Sequence, residues 1–175
     1  ERFDFAERIA KALPVRLLCR LLGVSDSDAD LLVGWTDRLV SNTDPEYVVA
    51  EDSEGDWRLL PFRSGAALEV FRYAETCALE RRANPGDDVV SQLLEARIEG
   101  EPLTDLEFKN FFTLLMVAGN ETTRHAMNHA VTLLIDQPDL SDRMTPEVLS
   151  AGGTDEILRA ASVTMHFRRT ATCDS

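Results

Sequence analysis

The segment from Thr104 to Gln137 constrains this chain more than any other. Thr104-Asp105-Leu106-Glu107 fits a capping box, in which the threonine and glutamate side chains satisfy each other's backbone donors. The helix it opens has no breaker before Pro138. From Phe111 to Ala118 that helix is apolar nearly all round, which predicts a place in the middle of a protein. Then comes Gly119-Asn120-Glu121-Thr122-Thr123-Arg124-His125, before apolar spacing resumes at Met127, Ala130, Val131, Leu133 and Leu134. A helix-interior glycine costs about 1 kcal/mol against alanine. An ionised carboxylate is costly to bury unless paired. Gly119 would let something approach the backbone, with the carboxylate of Glu121 and the hydroxyl of Thr122 beside the gap. The plain alternative is a helix that surfaces here and solvates its polar run.

The remaining segments are also mainly helical. Val15, Leu17, Leu18, Leu21 and Leu22 repeat at helical spacing after Pro14, and Gly23 stops the run. Ser25 or Ser27 caps a second helix with Leu31, Leu32, Trp35 and Leu39 on one face. Residues 41–55 read as a polar surface loop. An amphipathic helix follows over about 63–82, ending at Asn84-Pro85-Gly86. Asp87 or Asp88 caps a short helix through Leu94, and Glu99-Gly100-Glu101-Pro102 makes a turn. The one strand-like stretch is Thr164 to Thr172.

Charge excludes one class of partner. A net charge of −13 offers no clustered positive surface for nucleic acid. The longest apolar stretch is too short for a membrane span. Cys19, Cys77 and Cys173 are widely spaced, without a zinc or disulfide pattern, which suggests a reduced, cytoplasmic protein. A metal-binding helical module remains as an alternative, because Glu121, His125 and His129 lie four apart and project from one helix face.

Three motifs together point further. Ala118-Gly119-Asn120-Glu121-Thr122-Thr123 resembles the A-G-x-E/D-T signature in the central I helix of cytochromes P450. Glu156-Ile157-Leu158-Arg159 resembles that family's K-helix E-x-x-R, and His166-Phe167-Arg168-Arg169-Thr170-Ala171 resembles its haem-propionate segment. The upstream Leu21-Leu22-Gly23-Val24 and Arg81-Arg82-Ala83-Asn84-Pro85-Gly86-Asp87-Asp88 fit too, so the resemblance spans residues 1–175 as a single partial domain. It implies a mainly α fold, the central part of the cytochrome P450 architecture, with helices around a long I helix and a short terminal β segment. It is closest to bacterial members that insert one oxygen atom of O2 into a C–H bond of steroids, branched lipids or terpenoids.

By resemblance, Leu115, Ala118, Gly119 and Thr122 would lie at the distal face of haem b. Thr122 would hydrogen-bond bound dioxygen while Glu121 relays protons, and the helix would be locally distorted there. His166 and Arg168 would hold a propionate, Glu156 and Arg159 would form a buried ion pair, and Met116, Val117 and Thr164 would line an apolar pocket. Electrons would come from NAD(P)H through a ferredoxin and ferredoxin reductase. The proximal cysteine loop of the family has no counterpart here, since none of the three cysteines has its context, so the metal itself has no ligand in this chain. Gly152-Gly153 at the K-helix start and Val163 in place of a common proline also depart from the pattern. These departures predict a fragment that is inactive alone.

Overall fold

A computed structural model describes residues 2–41 and 60–164. They fall into two compact units, Glu1–Glu121 and Thr122–Ser175, and the boundary lies inside one continuous helix.

The first unit begins with a single wide turn and then α1 (Ala12–Leu22). Pro14 sits within the first turn rather than before the helix, because the first four N–H groups of a helix have no intrahelical acceptor to lose. Gly23 ends α1 in the left-handed region at φ 73. Its N–H donates to the carbonyl of Arg20, and the N–H of Val24 donates to the carbonyl of Cys19, a Schellman closure. The Ser25 hydroxyl accepts from the Ser27 N–H and starts the short turn into α2 (Ala29–Val40). Leu32, Val33, Trp35, Thr36 and Leu39 form the buried face of α2, whereas Leu31 is exposed, contrary to the sequence reading.

Next is α3 (Ala66–Ala83), whose buried side is mostly small: Ala66, Ala67, Val70, Ala74, Cys77 and Ala78. Small side chains let α2 and the short α4 (Val89–Glu95) pack closely against it. Of the two candidate caps for α4, the structure uses Asp88, which accepts from the Ser91 N–H at 2.8 Å. Its other carboxylate oxygen takes a 2.6 Å bond from Arg81 Nε, and Arg81 also donates to the Gly23 carbonyl. A Cβ on Gly23 would lie 2.4 Å from that carboxylate, so the α1 stop must be glycine for space as well as for its φ.

Asp88 therefore ties three helix ends together. Burial raises its carboxyl, but the Ser91 and Arg81 donors outweigh that and hold it below the usual carboxylate range. A group depressed in the folded state stabilises above its unfolded value, and this stability is lost as pH falls through the folded value. Asp88→Asn keeps a capping side chain but loses the charge, and should cost about 1.5–3 kcal/mol at neutral pH. Denaturant midpoints should show this gap closing below about pH 4. A gap unchanged down to that pH would mean that charge at Asp88 is irrelevant to folding.

Two two-residue strands, β1 (Arg97–Ile98) and β2 (Glu101–Pro102), form an antiparallel hairpin. Glu99 and Gly100 both have positive φ at its tip, where a turn was expected. The central helix α5 (Asp105–Asp136) is 32 residues long. The capping box forms as read, with the Thr104 N–H donating to Glu107 at 2.8 Å and the Glu107 N–H donating to Thr104 Oγ1 at 3.3 Å.

The first half of α5 is not buried all round. Phe108, Phe112, Met116 and Asn120 repeat every four residues on the buried side. Phe111 and Leu114 are 44% and 54% exposed, because the first unit covers only one face of the helix.

The second unit holds the rest of α5 with α6 (Pro138–Arg143), α7 (Pro146–Val148) and α8 (Thr154–Ala161). Gly152, at φ 107, kinks the wide turn that leads into α8, and Ser162 closes α8 in the left-handed region. The strand expected from Thr164 onward falls almost entirely outside the described residues.

Candidate functional site

The polar run of α5 is the natural place to look. Asn120 belongs to the buried face, and both polar atoms of its amide lie buried without a hydrogen-bond partner among the described residues. Glu121 is half-buried, while Ala118 and Thr122, one turn apart, are exposed. Phe111 and Leu114 continue that exposed spacing toward the N-terminus.

Gly119 has a neighbour on another helix. A Cβ there would stand 3.2 Å from Leu18 Cδ1 on α1, so the missing side chain leaves room for that leucine. Its bare side faces a neighbouring helix. Met116 is fully buried in the core of the first unit, and Leu115 and Val117 pack half-buried against it. These three fill core space instead of standing on the open face of the helix. The local distortion expected at Thr122 is also absent, since α5 is α-helical from end to end and contains no proline.

The second unit contains a mainly apolar cleft of 370 Å³. Thr122, Ala126 and Met127 of α5 form one wall, Ile157 and Leu158 of α8 another, and Val163 and Thr164 close it. The structure thus brings Thr122 and Thr164 to one cavity. Sequence reading named both residues but missed the α8 wall, which only the fold places opposite α5.

Glu156 and Arg159 pair as their spacing predicts, with Arg159 donating from Nε at 2.7 Å and from its terminal nitrogen at 2.6 Å. The guanidinium holds the Glu156 carboxyl below its usual range. The expected burial does not occur, because both side chains stand more than 60% exposed on the outer side of α8. In this chain they form a surface ion pair.

The metal alternative fails on geometry. Glu121, His125 and His129 occupy successive turns, so the first and last are about 12 Å apart along the axis. Among the described residues no group of three or more such side chains could hold an ion. His166, Arg168 and Cys173 lie outside the described residues.

Comparison with known proteins fixes the class. The cytochrome P450 family model matches residues 66–169. The chain is 36% identical to a steroid C26-monooxygenase of Mycolicibacterium smegmatis, over 96% of this chain and 36% of that protein. It is 35% identical to a methyl-branched lipid omega-hydroxylase of Mycobacterium tuberculosis, over 98% of this chain and 38% of that protein. A Mycobacterium marinum cytochrome P450 solved in complex with pseudoionone superposes with a TM-score of 0.66 at 33% identity, covering 87% of this chain and 34% of that one. The cytochrome P450 of the Bacillus subtilis bacillaene polyketide synthase gives 0.72 at 26% identity, covering 91% and 38%.

The chain belongs to the cytochrome P450 family, and its mainly helical fold is that of the family. It spans just over a third of the length of the curated relatives it matches.

Membership implies a haem cofactor, and the described residues fit one side of it. Ala118 is small and exposed on α5, and Thr122 is among the residues lining the cleft. In this family a cysteine thiolate would hold the group, and the two described cysteines do not fit that role. Burial, with Asp26 and Asp28 nearby, raises the Cys19 thiol, and burial, with Glu80 nearby, pushes Cys77 up to about 11. Both stay protonated thiols inside the helix packing.

Proposed function

We propose that this chain is part of a monooxygenase that inserts one oxygen atom of O2 into a C–H bond of an apolar substrate of the steroid, branched-lipid or terpenoid class. The observation that carries the reading is Thr122, which follows the half-buried Glu121 in the signature and lines an apolar cleft. The names of the similar hydroxylases support the substrate class. Haem b, when bound, supplies the activation of O2.

The residues of this chain manage space and protons. Ala118 would leave space beside the bound group, and Thr122 would hold a proton at its hydroxyl. Glu121, next in the helix, exchanges protons between Thr122 and water. Met127, Ile157 and Val163 keep the cleft apolar. His166 and Arg168 would hold a haem propionate, for which charge-assisted bonds suit. Glu156 and Arg159, already paired, serve a structural role in the single partial domain 1–175. Electrons reach the enzyme from NAD(P)H through a ferredoxin and its reductase in the cytoplasm. No helix of the described residues is long and apolar enough to cross a membrane.

The test is the ferrous–carbonyl spectrum of the complete protein. A thiolate ligand should give the red-shifted band of this class, and the 175-residue chain alone should not. An imidazole-type spectrum from the complete protein would reject the reading.

A further inference from the structure

The first unit has a cavity of its own, of 250 Å³, between the segment that follows α1 and one side of α3. Tyr73, Thr76, Cys77 and Glu80 line it at helical spacing, and residues 22–25 with Asp28 lie opposite. The donors of this wall are largely committed. Tyr73 gives its phenolic proton to Asp28 Oδ2 at 2.6 Å, and Thr76 gives its hydroxyl proton to the Arg72 carbonyl at 3.1 Å. Arg81, also on the wall, directs Nε to Asp88 and a terminal nitrogen to the Gly23 carbonyl. The acceptors are less occupied. Besides the phenol, Asp28 receives only the Ser27 hydroxyl, at 3.5 Å. The Glu80 carboxylate has no hydrogen bond or ion pair among the described residues. Asp88 offsets the charge of Arg81, which leaves Asp28 and Glu80 as the net charge of the wall. Burial raises the Cys77 thiol most, and Glu80 and Asp28 each add to it, so the fields of both carboxylates reach one point of the wall.

We propose that this cavity binds a small organic cation, a primary ammonium on a short alkyl chain, between Asp28 and Glu80. An ammonium brings three donors and no acceptor, the complement of a wall that has acceptors to offer. Leu22 and Val24 give the alkyl chain an apolar surface. The volume lies below the ~300 Å³ at which pockets for drug-sized ligands begin, so the occupant must be small. A bare metal ion is the poorer match, because among the described residues no three ligating side chains gather around one point. The bound cation would join the segment after α1 to α3 and stabilise the first unit by linkage. The site lies wholly within that unit.

The probe is n-butylammonium, with n-butanol and butyrate as controls of the same length. Amide proton–nitrogen correlation spectra of the 175-residue chain, titrated at constant ionic strength, should show saturable shifts at Gly23, Val24, Cys77 and Glu80. Butyrate should cause none, and butanol should bind about tenfold more weakly or worse, since it lacks the charge-assisted bonds. Glu80→Gln, at an exposed position, should weaken butylammonium about two- to fivefold. Asp28→Asn keeps an oxygen for the Tyr73 proton and should weaken it about tenfold. The chain carries a net charge of −13, so Glu101→Gln on the hairpin is the control for general attraction of cations and should leave binding unchanged. In the complete protein, butylammonium should raise the melting midpoint, and Glu80→Gln should remove part of that rise. Shifts that never saturate, that butanol reproduces at equal strength, or that respond alike to Glu80→Gln and Glu101→Gln would overturn the proposal.

Discussion

On the proposed function, Thr122→Ala in the complete protein should bind haem normally and consume reducing equivalents from NAD(P)H, yet return most of the oxygen as peroxide. The side chain is exposed on α5 and lines the cleft, so its loss should change stability by no more than about 0.5 kcal/mol. Its chemistry is harder to replace. A positioned proton donor contributes about 10²–10⁴-fold to a step that needs it, and water entering the cleft recovers only part of that. Product formed per NAD(P)H consumed should fall by about tenfold or more, with peroxide rising in step. Thr122→Ser restores a hydroxyl at the same atom and should restore most of the coupling. Coupling unchanged in the alanine variant would remove Thr122 from the proton path and leave it a wall of the cleft.

Local signals in this sequence were legible because their physics is local. The capping box at Thr104 and Glu107, the stop at Gly23 and the turn at Glu99-Gly100 each need only a few neighbouring residues, and each forms as read. The signature around Thr122 was legible for the same reason. What was not legible depended on packing. An added Cβ on Gly119 would meet Leu18, a residue about a hundred positions away, and no local pattern shows that neighbour. The burial of Met116 in the core of the first unit likewise depends on helices distant in sequence. Asp87 and Asp88 were equivalent as caps until the fold brought Arg81 and the Gly23 carbonyl to the second of them. The bonds from Trp35 to Glu69 and from Tyr73 to Asp28 join different helices, and no spacing rule announces them.

The clearest case is a pair of identical neighbours. Phe111 and Phe112 are indistinguishable by composition, but helical geometry turns them about 100° apart. Phe112 is 0% exposed and packs beside Phe108 and Tyr73, whereas Phe111 is 44% exposed. Phe112→Ala should therefore leave a cavity among rings that cannot collapse freely, at a cost of about 3–5 kcal/mol. For a unit of this size each kcal/mol shifts the melting midpoint by about 4–8 °C, so the first unit should be close to unfolded at 37 °C. Phe112→Leu keeps most of the volume and should cost less than about 1.5 kcal/mol. Phe111→Ala in the 175-residue chain should stay within about 0.5 kcal/mol of the parent sequence. Thermal unfolding followed by circular dichroism separates the three variants. Equal losses at the two phenylalanines would show that α5 is covered on both faces, and the open side that holds Ala118 would then be a misreading of this helix.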